Sequence, residues 1–358
     1  MTSAGSRTRV PTFGPVCGPW GTFIEWQPVR VKLSQLCGVL FAVAALAVIV
    51  APPALAQFTP VSPESPNADR IRTSYLFVTI FTFAIFVLVE ALLIAFIIRY
   101  RRRRRPRFED GAPIHGASKL ELAWTAGPVL ILFVIAAFIF LELPGIKNTP
   151  EASAGEQQLE IKVTGRQFYW QYEYPNGVIA VDTMVAPQGA PITLEVVAPD
   201  NDVIHSWWIP ALGGKIDAIP GRTNHTWFQA DKVGTYTGQC AELCGLEHAR
   251  MLASVKVVPQ AEFDVWLADR RKHQDEGSLD LGKETWEGVC SKCHGFAGEG
   301  GIGPRIAGSP ILTDPEALAT LVRNGRGAMP AVGSGWTDDQ IKALTTYLKE
   351  SPPSGNQS

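Results

Sequence analysis

Gly238-Gln-Cys240-Ala-Glu242-Leu-Cys244-Gly-Leu-Glu-His248-Ala-Arg-Met251 places two thiols, an imidazole and a thioether within twelve residues. The segment that leads into it, Gly234 to Gln239, reads as a strand, so the four groups fall on a loop. Thiolate and thioether are soft donors that select copper over hard cations, and an imidazole suits both copper oxidation states. A further ligand comes from far upstream, His205 in Asp202-Val203-Ile204-His205-Ser206-Trp207. One cysteine would hold a single copper; a second one four residues away lets two thiolates bridge two coppers, which then share one electron. Two other chemistries use the same residues. Paired cysteines in an oxidising compartment form disulfides, and two Cys with two His make a structural zinc site. Met251 argues against zinc.

The chain has 358 residues, room for two or three domains, and its net charge of -2 hides an uneven distribution. Of six cysteines, four fall in Cys-x3-Cys and Cys-x2-Cys pairs beside His, which fits metal and cofactor chemistry better than a disulfide framework. The second pair is Cys290-Ser-Lys-Cys293-His294, closing a helical stretch that opens at Leu279. That motif attaches haem c through two thiols and offers the imidazole as an axial ligand. Met329, 35 residues beyond His294, is the expected second ligand, and a Met/His pair raises the potential toward that of an electron carrier. A redox dithiol would not need it. Gly303-Pro304 and a closing helix at Asp338 to Lys349 complete this segment.

Between the membrane-like N-terminal part and this segment the pattern is β-rich: Leu159 to Val163, Phe168 to Tyr174, Ile192 to Val197, His225 to Gln229, Gly234 to Tyr236 and Ala253 to Val258. Turn formers such as Pro175-Asn-Gly177 separate them, and an antiparallel sandwich or barrel is predicted. The aromatics of Phe168 to Tyr174 alternate and read as core. Gln260 to Gly277 reads as a charged linker with a short amphipathic helix.

Upstream, Thr73 to Ile98 and Leu122 to Leu141 are each long and apolar enough to span a bilayer. The arginines between Arg99 and Arg107 follow the first span directly, which makes them a cytoplasmic anchor and not a nucleic-acid patch. The two spans form a hairpin with both outer ends and everything after it outside. Ser62 to Asn67 reads as a Pro-rich surface linker. Arg30 and Lys32, the apolar run Leu36 to Val50 and Ala54-Leu-Ala56 read as an export signal, or as an extra anchor. Glu90, inside a span, should face protein. Glu121 alone is an ordinary helix-start acid.

His205-Ser-Trp, Asp217-Ala-Ile-Pro-Gly-Arg222 and the Cys240 to Met251 pattern together resemble subunit II of cytochrome c oxidase, from about Arg70 to Val258. Leu279 to Glu350 resembles a small bacterial cytochrome c. The resemblance implies a multidomain membrane protein: signal and extension at 1–56, a transmembrane hairpin at 57–150 with spans near 73–98 and 120–143, an all-β cupredoxin-like sandwich at 156–258, a linker at 259–278 and an all-α cytochrome c domain at 279–350. It implies a binuclear CuA centre with His205, Cys240, Cys244, His248 and Met251 as side-chain ligands and Glu242 through its backbone carbonyl. The Glu242 carboxylate would join a Mg2+ shared with subunit I. Haem c would sit on Cys290, Cys293, His294 and Met329, with the Pro304 carbonyl holding the imidazole. Glu121, before Trp124-Thr125, would stand at the cytoplasmic mouth of a proton pathway. Where the family has the Trp at which soluble cytochrome c delivers electrons, this chain has Phe168, with Trp170 keeping the aromatic wall; the departure puts the usual docking route in doubt.

The function so implied is that of an electron-relay subunit in a bacterial plasma membrane, passing electrons from haem c to CuA and on to subunit I, where O2 is reduced with proton translocation. Subunits I and III and an external donor, a cytochrome c or a reductase complex, would be its partners; no nucleic acid is. A membrane-tethered periplasmic copper or redox shuttle is the rival, disfavoured by Glu121, Glu242 and the Asp217 to Arg222 loop. A nitrous-oxide reductase would need a propeller domain, and a quinol oxidase subunit lacks these copper ligands.

Overall fold

The computed structural model describes residues 61–100, 116–150, 158–274 and 276–353. The export signal, Cys17, Cys37 and the arginines at 101–107 lie outside them.

Two long helices open the described chain, α1 (Pro66–Tyr100) and α2 (Ser118–Lys147). Their most apolar windows have mean hydropathy 2.8 and 2.7, and both overrun the predicted spans because their ends continue into the outer domain. Phe77 stacks on Phe138 at 4.0 Å, and Arg70 pairs with Glu142 at 2.9 Å across the hairpin. Ser62 to Asn67 is not a surface linker throughout. Pro66 starts α1, where its missing N–H costs nothing. Ser65 and Asn67 are buried: Asn67 Nδ2 donates to the Trp227 carbonyl (2.6 Å) and Ser65 Oγ accepts from Gln229 N (3.1 Å). At the other helix end, Trp227 Nε1 donates to the Ile146 carbonyl (3.0 Å). Both spans are thus bolted to one strand of the outer domain. Glu90 lies on an exposed face of the hairpin, and the Glu121 carboxylate caps Ala117 N (3.1 Å) at the start of α2.

The outer domain has ten strands: β1 (Leu159–Arg166), β2 (Tyr169–Glu173), β3 (Ile179–Val181), β4 (Thr183–Pro187), β5 (Pro191–Val197), β6 (His205–Trp208), β7 (Ile216–Ala218), β8 (Asn224–Gln229), β9 (Gly234–Cys240) and β10 (Leu252–Val258). They form two five-stranded sheets, β3-β2-β1-β5-β8 and β4-β10-β9-β6-β7, packed as a sandwich. The expectation of an antiparallel fold needs correcting in two places, since β1 pairs parallel with β5 and β4 parallel with β10. Parallel neighbours need a crossover, and the excursion through β2, β3 and β4 provides the first. The strands that sequence patterning missed are mostly three to five residues long, too short for alternation to register.

Strand alternation divides the aromatics of β2. Trp170, Tyr172 and Tyr174 point into the sandwich core with Ile192, Leu194, Trp207 and Phe228. Tyr169 points the other way, into the core of the C-terminal domain. That domain comprises α4 (Leu279–Thr285), a π-helical turn (Trp286–Cys290), α5 (Ser291–His294), α6 (Pro315–Asn324) and α7 (Asp338–Glu350), and is joined to the sandwich by α3 (Gln260–Gln274). The segment read as a charged linker with a short amphipathic helix is helical from Gln260 to Gln274 and is held along the sandwich. Phe263 is buried, Trp266 packs edge-on to Tyr174 at 5.3 Å, and Gln274 bonds Ile179 N and the Gly177 carbonyl. Arg270, itself buried, bonds the Ile179 carbonyl and pairs with Glu284 of α4 at 2.6 Å.

Candidate metal centre and the adjoining cavity

Strands β9 and β10 pair antiparallel with Gln239 opposite Leu252, and the Met251 carbonyl accepts from Cys240 N (2.9 Å). The ladder therefore sets Cys240 beside Met251 and throws the ten residues between them out as a loop. On the other side of β9, β6 places Trp207 opposite Cys240. His205 lies two residues earlier and so on the same face. The two strands approach this closely because residue 238 is glycine; a Cβ there would run into the Trp208 carbonyl.

Every donor predicted from the sequence reaches one small volume. Cys240 Sγ lies 4.0 Å from Cys244 Sγ, 4.0 Å from His205 Nδ1 and 3.2 Å from the Glu242 carbonyl. Cys244 Sγ lies 3.6 Å from His248 Nδ1 and 3.7 Å from Met251 Sδ. The sulfurs are about twice a disulfide length apart, and both thiols are free and buried. The contact between the two thiols lowers the pKa of Cys240, and the same contact, with burial, raises that of Cys244. One negative charge thus sits readily between the sulfurs, and a cation that removes the second proton gains two thiolates. Burial works to lower the His205 pKa, but Asp202 and Cys240 outweigh it and the net shift is upward. Asp202 Oδ1 holds His205 Nε2 at 3.1 Å, leaving Nδ1 for the sulfur side. This carboxylate escaped the sequence reading, although it stands three residues before His205 in the quoted motif.

A second feature adjoins the loop, a largely apolar cavity of about 400 Å³ in the C-terminal domain. Cys290, Cys293, His294 and Met329 line it, as do Gln167 and Phe168 from the sandwich. His294 Nδ1 faces the Pro304 carbonyl at 2.8 Å, which leaves Nε2 for a ligand. Gly303 lets the chain pass under the ring; a Cβ there would lie 2.7 Å from His294 Cε1. Burial pushes the Cys290 thiol up to about 12. Phe168 and Trp170 take different places: Phe168 is in the cavity wall, whereas Trp170 is in the sandwich core, edge-on to His205 at 6.0 Å. Gln167 Nε2 donates to the Cys244 carbonyl (2.6 Å), so one dipeptide touches both features.

Comparison with known proteins agrees with this arrangement. Residues 55–141 match the family described as cytochrome c oxidase subunit II, transmembrane domain, and residues 178–258 its periplasmic domain. Residues 277–348 match the family described as cytochrome c oxidase, cbb3-type, subunit III. Cytochrome c oxidase subunit 2 of Alkalihalophilus pseudofirmus is 32% identical over 320 residues, 82% of this chain and 90% of that protein. The Cereibacter sphaeroides subunit 2 is 34% identical over 249 residues, 58% and 78% of the two chains. Among solved structures, the periplasmic domain of subunit II of cytochrome oxidase of Bradyrhizobium japonicum is 39% identical, covering 35% of this chain and 98% of that one at a TM-score of 0.32. With family matches along its length and a relative aligned over 90% of that relative's sequence, the chain belongs to the cytochrome c oxidase subunit II family, as a bacterial membrane protein with two spans among its described residues and with its sandwich and cytochrome c domain on the outer side.

Proposed function

We propose that this chain relays electrons from haem c, held by Cys290, Cys293, His294 and Met329, to a binuclear CuA centre, held by His205, Cys240, Cys244, His248, Met251 and the Glu242 carbonyl, and from there to subunit I. The observation that carries the proposal is the convergence of all six donors on one small volume, next to the cavity lined by the cytochrome motif. Once bound, the coppers supply a shared one-electron store and the haem iron a one-electron carrier. The chain's own part is positional. Cys240 and Cys244 would supply two thiolates to the copper pair, strands β6 and β9 hold His205 against them, and Asp202 fixes the imidazole's tautomer and direction. Pro304 does the same for His294, and Met329, also in the cavity lining, would supply the second ligand, which raises the potential.

Oxygen reduction and proton translocation fall to subunit I, since the two spans among the described residues cannot build the site for them. The Glu242 carboxylate is exposed and free to share a Mg2+ there, and Leu243 and Leu246, 78% and 81% exposed, give the copper loop an apolar rim suited to burial under a partner subunit. That rim favours an assembled oxidase with subunits I and III over a free copper shuttle. Glu121 is placed at the proton-pathway mouth by the family resemblance alone, as a first-turn acid of α2. The external donor, a cytochrome c or a reductase complex, delivers to the cytochrome domain.

Purified oxidase should contain two coppers per copy of this chain with one unpaired electron delocalised over both. A single zinc, or a Cys240–Cys244 disulfide in the loaded protein, would sink the proposal. Asp202→Asn should weaken copper binding about 10- to 100-fold, the usual scale for loss of a carboxylate behind a metal-bound histidine. Competition against a copper chelator measures it, and an unchanged affinity would show that Asp202 only shapes the turn.

A further inference from the structure

We propose that Lys292 is a positioning residue that clamps the haem cavity against the copper loop, with Gln167 and Phe168 as the bridge across the gap. The inference rests on the relay just proposed and adds what fixes donor to acceptor.

Lys292 stands between Cys290 and Cys293, yet its side chain leaves its own domain. Its Nζ lies 2.6 Å from Asp182 Oδ2 and donates to the Phe168 carbonyl (2.9 Å), both on the sandwich. Its own carbonyl accepts from Arg250 NH1 (2.7 Å), and Arg250 stands between His248 and Met251. One residue of the haem-attachment motif is therefore bonded to the copper loop by its backbone and to the cavity wall by its side chain. Haem attachment uses the flanking thiols and the imidazole; it asks for no cation at 292.

The clamp is rigid at both ends. The Lys292 and Asp182 side chains are only 10% and 22% exposed, so water screens the pair little. Asp182 sits between β3 and β4 at φ 57°, a conformation that Asp and Asn tolerate better than other side chains, and its second oxygen accepts from Trp170 N (2.9 Å). Asp182 is thus tied to the residue that packs on His205, and Lys292 to the carbonyl of the residue that lines the haem cavity. Across the remaining gap runs a single dipeptide. Phe168 faces the cavity, and Gln167 bonds the carbonyl of Cys244. Each single transfer would oxidise haem iron from ferrous to ferric and reduce the copper pair by one electron, with no bond or proton moving, so at fixed potentials the distance and the packing between the two sites would set the rate. With the clamp closed, Phe168 is covered by the chain's own cytochrome domain, and an outside donor has to reach the haem from another side.

The test uses the assembled oxidase carrying Asp182→Asn or Lys292→Gln. Asparagine keeps the acceptor for Trp170 N and tolerates the same φ, so the first variant removes charge with little else; the second removes it from the opposite side. Haem c is reduced by a light-activated reductant, and the appearance of the electron at copper is followed by absorbance. Amide exchange over residues 168–170 reports clamp opening without reference to activity. Expected are a transfer rate about tenfold slower or more, as for truncation of one member of a buried charge pair, faster exchange, and unchanged haem and copper potentials. Rates and exchange equal to those of the unsubstituted oxidase in both variants would overturn the proposal. So would a slower rate with a shifted potential and unchanged exchange, because the effect would then lie in the cofactors. If copper in the unsubstituted oxidase does not follow haem reduction, the relay reading fails, while amide exchange still decides the clamp.

Discussion

Cys244→Ser should abolish the shared-electron copper signal and lower oxygen consumption driven by reduced cytochrome c by at least about a hundredfold, more than the 10- to 100-fold that outer partners of a metal site are worth. Cys244 is the hub of the site. Its sulfur is 4.0 Å from Cys240, 3.6 Å from His248 and 3.7 Å from Met251, and its carbonyl anchors Gln167 in the cavity wall. A serine oxygen is harder and makes a shorter bond, so it neither bridges two coppers nor keeps the Met251 sulfur in reach. The backbone contact to Gln167 survives the substitution, which separates the loss of the electron store from a loss of packing. Haem c should therefore remain attached and reducible. Retention of two coppers with an unchanged signal would assign the bridge to other atoms.

The donor cluster proposed to hold copper was legible in the sequence because its residues are mostly local. Five of the six donors lie within twelve residues, and the sixth, His205, is marked by its own short motif. The fold around it was legible in part. Strands long enough to alternate, such as β5 and β10, were found close to their true ends, whereas β3, β4 and β7 were not, since a strand of three to five residues shows barely one period. The contacts between domains left almost no trace. Lys292 reads as one of two unremarkable residues inside a haem motif, Tyr169 as one more core aromatic, and nothing in the sequence singles out Asp182. Only their pairing in space gives them a role, and that pairing spans 110 residues for Lys292 with Asp182 and 167 for Trp336 with Tyr169. The linker's helix was legible, but not its attachment: Arg270 and Gln274 turn inward to satisfy backbone groups of β3 and the turn before it.

Trp336→Ala should destabilise the sandwich and the cytochrome domain together, by about 3–5 kcal/mol, the usual cost of truncating a buried aromatic. Trp336 is 4% exposed, and its Nε1 donates to Tyr169 Oη (2.8 Å), while that hydroxyl donates to the Val332 carbonyl (2.6 Å). Tyr169 belongs to β2 of the sandwich yet is counted, with Val181 of β3, in the apolar core of the cytochrome domain. Removing the indole opens a void under Tyr169 and strips its hydroxyl of a donor. The next residue on β2, Trp170, backs His205. A disturbance at Tyr169 thus has a path of one residue to the copper site. With the two domains melting as one unit of roughly 190 residues, the loss corresponds to a fall of about 6–20 °C in the melting temperature. Melting of the purified oxidase, followed at the haem and copper bands separately, should show both signals shifting downward together. A haem signal that melts early while copper melts at its original temperature would mean that the two domains are independently stable, and that the shared core around Tyr169 is a contact without mechanical consequence.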